Sequence, residues 1–217
     1  LRRDCGLGGV VCNVSSYKYL QDDEEWSYFV EAVRQAKANG LRVWIYDEDR
    51  YPSLAAGGLV LTENPKLEAK ELAYDETKSD PFLVRDCFEY THASNNFAYI
   101  RRYPSIVSPE AGQTFIRLTH EQYKRRLGPE LFGWVEAFFT DEPSTNAVNT
   151  GLLPEKVRQG VRTIDSVDPN KPLLPVVVWS AEFPEIYRQL YGEDLMAARK
   201  SLFVGTTEAD KKVRRQF

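Results

Sequence analysis

The sequence predicts an α/β fold built on parallel strands. A β-branched run at 8–14 leads through an amphipathic helix into a second apolar run at 41–46, and the connections are short. Runs that are apolar throughout suit strands buried on both faces, and a crossover helix supplies that cover. Two of the runs, 41–46 and 134–140, also end in the same dipeptide, Asp-Glu.

The elements follow in order. Gly-Gly-Val-Val-Cys-Asn-Val (8–14) reads as a buried strand. Asp22, Asp23, Glu24 and Glu25 supply an N-cap and first-turn acids, and Trp26, Phe29, Val30, Val33 and Ala36 recur at helical spacing until Asn39-Gly40. Leu41 to Tyr46 is the next strand, followed by Asp47-Glu48 and a loop with Gly57-Gly58. Asn64-Pro65 carries a cap-and-proline signature that predicts a helix to about Tyr74. Residues 82–90 and 97–103 read as an antiparallel pair turning at Ser94-Asn95-Asn96, which makes 82–103 a small β insertion. Ser108-Pro109-Glu110 opens a helix that Gly128-Pro129 stops, and Trp134 to Thr140 is a third strand running into Asp141-Glu142-Pro143. Residues 144–178 are rich in turn formers, and 183–190, 194–203 and 207–217 form a helical stretch spanning about 180–217.

Composition narrows the function classes. Of 217 residues, 42% are hydrophobic and 28% charged, the balance of a globular chain. No window approaches the ~18 apolar residues of a membrane span, so the chain reads as soluble with no membrane partner. Twenty-eight Lys and Arg against 32 Asp and Glu leave −4, which argues against nucleic acid as a partner. Cys5, Cys12 and Cys87 have no CxxC spacing and read as free thiols. The start at Leu1 lacks a signal-peptide pattern, so the expectation is a removed N-terminus or a piece of a longer chain, with the compartment left open.

In parallel α/β folds ligands bind where strands end, at the carboxyl rim. Tyr46-Asp47-Glu48 and Thr140-Asp141-Glu142 place two carboxylate pairs there, and Trp44, Tyr46 and Tyr51 offer flat faces for sugar rings. Glycosidic cleavage needs a carboxylic acid and a second carboxylate. The competing reading is that each Asp-Glu merely caps a helix or solvates a loop. With only His92 and His120 in the chain, a three-histidine zinc centre is excluded, a Ser-His-Asp triad gains little support, and His120, mid-helix, suits a structural role. A hard cation such as calcium could sit among Asp47, Glu48, Asp141 and Glu142; no other cofactor is suggested.

Three ordered segments carry a resemblance. Val43-Trp44-Ile45-Tyr46-Asp47-Glu48-Asp49-Arg50-Tyr51-Pro52-Ser53 followed by Ala56-Gly57-Gly58 resembles the W-x-Y-D-E-x-x-Y-P-S-G-x-A-G-G pattern of the alpha-L-rhamnosidase-like glycoside hydrolases. Phe115-Ile116-x-Leu118-Thr119-His120-Glu121-x-Tyr123 and Phe138-Phe139-Thr140-Asp141-Glu142-Pro143 are similar to two further segments, and Leu54 departs from the pattern's glycine. The resemblance implies a (β/α)8 barrel that hydrolyses an oligosaccharide or polysaccharide. Glu142 is then the expected acid and Glu48 the second catalytic carboxylate, with Asp47, Tyr51, Asp141, Trp44 and His120 binding substrate. Glu48, Glu142 and Tyr51 are expected to share one pocket. Eight strand-helix units need about 250 residues, whereas three barrel-type strands are legible here. Residues 1–217 therefore read as an N-terminal portion of a barrel whose remainder belongs to a longer chain. The alternative is a non-catalytic carbohydrate-binding protein or an inactive barrel fragment.

Overall fold

The computed structural model describes residues 5–13, 19–48, 52–87, 103–143, 145, 156 and 174–217. The chain forms two compact units, residues 1–68 with 93–144 and residues 69–92 with 145–217.

The first unit is built on three parallel strands, β1 (Gly9–Cys12), β2 (Arg42–Tyr46) and β5 (Val135–Phe139), in the order β1-β2-β5. Helix α1 (Asp23–Ala38) crosses between β1 and β2; the Asp22 carboxylate accepts the Glu24 and Glu25 N–H groups at its start. At its end Gly40 takes φ +67°, a conformation that costs glycine nothing. Trp26, Phe29, Val33 and Ala36 of α1 are buried with Val43 and Ile45 of β2 in one core, which also holds Phe115, Tyr123, Leu127 and Leu131. These last four lie on α3 (Pro109–Leu118) and α4 (His120–Phe132). The helices thus cover one face of the sheet. On the other face Val11, Trp44 and Phe139 are 53%, 44% and 41% exposed, and among the described residues the sheet does not close on itself.

The helix expected from 109 to 127 is broken at Thr119, at φ −119° and ψ −80°. Its hydroxyl donates to the Phe115 carbonyl at 2.7 Å, a bond that competes with continued helix. Gly128, at φ +66°, ends the regular helix, and one further turn runs from Pro129 to Phe132.

The second unit has an antiparallel sheet, β4-β3-β6, of β3 (Lys70–Tyr74), β4 (Phe82–Asp86) and β6 (Val176–Trp179). This corrects one expectation. The Asn64-Pro65 signature is used, since the Asn64 side chain accepts the Lys66 N–H, but the helix it starts is a single 3-10 turn, Pro65–Leu67. Residues 70–74 are then a strand. Residues 82–86 pair with β3, and the expected partner segment 97–103 lies outside the described residues except for Tyr103. The fully buried Glu71 pairs with Arg85 directly across the β3–β4 ladder, Nε to Oε1 2.6 Å. Leu72, Tyr74, Trp179, Tyr187, Leu195, Leu202, Phe203 and Val213 form this unit's core. Tyr187 comes from α5 (Phe183–Tyr191), Leu195 from α6 (Leu195–Ala198) and Val213 from α7 (Glu208–Gln216). Short α2 (Leu59–Glu63) belongs to the first unit.

Candidate functional site

Strands β2 and β5 are hydrogen-bonded neighbours, with Tyr46 opposite Phe139, so Asp47-Glu48 and Asp141-Glu142 leave the same end of one sheet. Parallel neighbours lie ~4.8 Å apart, and the Asp47 N–H donates to the Phe139 carbonyl at 3.1 Å, one step past the ladder.

Asp47 is completely buried. Its Oδ1 accepts the Ser53 hydroxyl and its Oδ2 the Thr140 hydroxyl, both at 2.6 Å. Burying a carboxylate is costly unless donors surround it, and these two supply that compensation. Ser53 also ties back to β5: its N–H donates to the Asp141 carbonyl and its hydroxyl oxygen accepts the Asp141 N–H, each at 2.9 Å. The Tyr103 phenol donates to the Ser53 carbonyl. Asp141, half-buried, accepts the Tyr46 phenol at 3.0 Å. Burial first, then this hydrogen bond and the charge of Asp141, push the Tyr46 phenol far above its ordinary range, so it stays a donor.

Glu48 takes a different place from the one expected of it. Its side chain is 1% exposed and folds back into the loop after β2, where Oε2 accepts the Leu54 and Ala56 N–H groups and Oε1 the Gly57 N–H, at 3.0, 2.9 and 2.8 Å. A carboxylate holding three backbone donors fixes the course of the loop. Leu54 and Ala56 adopt φ +113° and +50°, left-handed values that favour glycine; the three N–H groups converge on one carboxylate because the chain turns this sharply.

Glu142 is exposed at the rim. Its φ is +36°, and Pro143 follows it, although a residue before proline prefers extended backbone. Its neighbours therefore hold it in this conformation. Of the three residues expected to share a pocket, Glu48 lies among the loop N–H groups and Glu142 at the rim, while Tyr51, like His92, lies outside the described residues.

His120 begins α4, its ring between Phe115 and Phe138 at 5.7 and 4.3 Å and its Nε2 3.8 Å from Asp47 Oδ2. Burial lowers its pKa below the ordinary value, against the opposing pull of Asp47. Trp44 is placed elsewhere: with Gly9, Val10, Val11 and Arg42 it lines a shallow concavity of about 320 Å³ towards the amino ends of β1 and β2.

The calcium expectation does not fit these donors. All four carboxylate oxygens of Asp47 and Glu48 already accept N–H or O–H groups, and among the described residues no three acidic, histidine or cysteine side chains are grouped to hold a metal. Ser53 and Thr140 were missed as site residues. Their signal was adjacency, Thr140 before Asp141 and Ser53 in the turn after the first Asp-Glu, whereas Tyr103 has no local signal at all. Comparison with protein-family models, curated proteins and solved structures gave no match.

Proposed function

We propose that this chain carries part of a glycoside hydrolase active site of the alpha-L-rhamnosidase-like type, on strands of a (β/α)8 barrel, with Glu142 as the general acid. The observation that carries the reading is the shared rim: two neighbouring parallel strands lead together into Asp-Glu, and Glu142 is the exposed residue of the four. Glu142 protonates the glycosidic oxygen as its bond to the anomeric carbon breaks; water bonds to that carbon and yields a proton to a second carboxylate, supplied by the remainder of the barrel. Asp141, steadied by the Tyr46 phenol, accepts a sugar hydroxyl. Asp47 acts behind them, holding Ser53 and Thr140. The barrel reading draws support from the sheet itself: helices cover one face, and among the described residues the other presents Val11, Trp44 and Phe139 uncovered, as the inner strands of a barrel require.

The test is hydrolysis of an aryl alpha-L-rhamnoside by the wild-type protein and by Glu142→Gln. Loss of an acid catalyst lowers turnover by roughly 10² to 10⁴-fold, with the melting temperature unchanged. Wild-type turnover in the variant removes Glu142 from this role.

A second reading has its own observation. Glu48, the expected second carboxylate, is occupied by three backbone N–H groups, which favours a rim that binds carbohydrate without cleaving it. Calorimetric binding of a rhamnose-containing oligosaccharide with no release of product would select it.

A further inference from the structure

We propose that Ser53 is the positioning residue of the rim: it transmits the fixed place of Asp47 to the Asp141-Glu142-Pro143 segment and so sets where the Glu142 carboxylate points. The catalytic consequence rests on the reading of Glu142 above; the structural coupling does not.

Ser53 is 1% exposed, and all its polar atoms are engaged. Its hydroxyl donates to Asp47 Oδ1 and accepts from the Asp141 N–H, its own N–H donates to the Asp141 carbonyl, and its carbonyl accepts the Tyr103 phenol. The Asp141 peptide is therefore clamped at both ends by a single residue of another loop. The next residue, Glu142, is the one held at φ +36° before a proline. A backbone that disfavoured persists only where its neighbours over-determine it, and the clamp on Asp141 restrains the residue immediately before it. Asp47 cannot yield in its turn, because Thr140 holds its other oxygen and no solvent reaches it. Removing the Ser53 hydroxyl leaves the Asp141 N–H without its acceptor and lets residues 141–143 relax towards the extended conformation that proline favours. Glu142 keeps its chemistry and loses its aim.

The experiment compares wild-type protein, Ser53→Ala and Glu142→Gln by site-resolved amide exchange and by aryl rhamnoside hydrolysis. In Ser53→Ala, exchange at Asp141 rises about tenfold, as for loss of one hydrogen bond, while the Ala137 amide of β5 is unchanged. Turnover falls roughly 100-fold, as a misplaced catalytic group predicts, and KM stays within about twofold. Unchanged exchange at Asp141 overturns the proposal, as does an equal rise at Ala137, which is general loosening. Full activity of Ser53→Ala where Glu142→Gln is inactive overturns the positioning role. Full activity of Glu142→Gln instead removes the hydrolase reading, and the exchange arm then decides the coupling alone. If Ser53→Ala does not fold, Tyr103→Phe serves: it removes the hydroxyl that donates to the Ser53 carbonyl, and it must raise Asp141 exchange in the same local manner.

Discussion

Leu54 shows two requirements colliding at one residue. Its side chain belongs to the core of the first unit, 9% exposed, while its φ of +113° suits glycine. Truncating a buried leucine costs about 2 to 5 kcal/mol, and a left-handed conformation costs a residue with a Cβ roughly 1 to 2 kcal/mol. Burial is the larger effect, so leucine is tolerated. Both Leu54→Ala and Leu54→Gly should destabilise, but the usual order reverses: glycine is expected to be the more stable by about 1 kcal/mol, because alanine keeps the strain and loses the burial. Urea denaturation of the two variants measures this, and an alanine variant at least as stable as the glycine one would refute it. The sequence marked the position, since the resembling pattern has glycine there, but no local signal told that the leucine would keep the same backbone.

At the scale of elements, the loop after β2 owes its shape to Glu48. Glu48→Gln leaves one oxygen to accept where two served three N–H groups, and turns an NH2 towards a donor; the expected loss is about 3 kcal/mol. Thermal melting checks it. A variant that kept its melting temperature and lost only turnover would restore Glu48 as a catalytic group. The regular elements around this loop were legible where pattern and packing agree: α1 has its Asp22 cap, its apolar stripe and its terminal glycine, and it forms as read. The segment 65–74 was misread for a physical reason. Lys, Glu, Leu and Ala all favour helix, yet Lys70–Tyr74 pairs on both sides, with β4 and with β6. Two ladders outweigh an intrinsic preference of a few tenths of a kcal/mol per residue.

For the molecule as a whole, His120 contributes to the pH dependence of stability near neutrality. Burial depresses its pKa below the ordinary value of 6.5, so the unfolded chain takes up the proton first. His120 thus favours folding above that value, and the contribution is lost as pH falls towards the depressed pKa. Asp47, 3.8 Å away, offsets part of the loss once the ring is charged; Thr119, Phe115 and Phe138 complete its surroundings. His120→Gln should therefore lose less stability than wild type between about pH 7 and pH 5. Parallel melting curves test this, and identical slopes would assign the acid sensitivity to other groups. The division into two cores was the least legible feature. Strand β6 follows β4 in the same sheet order only by way of β3, and no periodicity within 70–86 announces a partner near residue 176. Site residues beside a strand end could be read from order along the chain; the hydroxyls that hold them come from other segments and could not.

The rim also carries a history of assembly. The Glu48 contacts close rings of six to nine residues, whereas the bond from Asp141 to Ser53 joins residues 88 apart. Short closures form sooner than long ones because less chain entropy is lost in making them. The loop over Glu48 can then take shape as soon as β2 is made, while Glu142 is aimed only when β5 docks. A newly synthesised chain would hold the loop over Glu48 well before the clamp between Ser53 and Asp141.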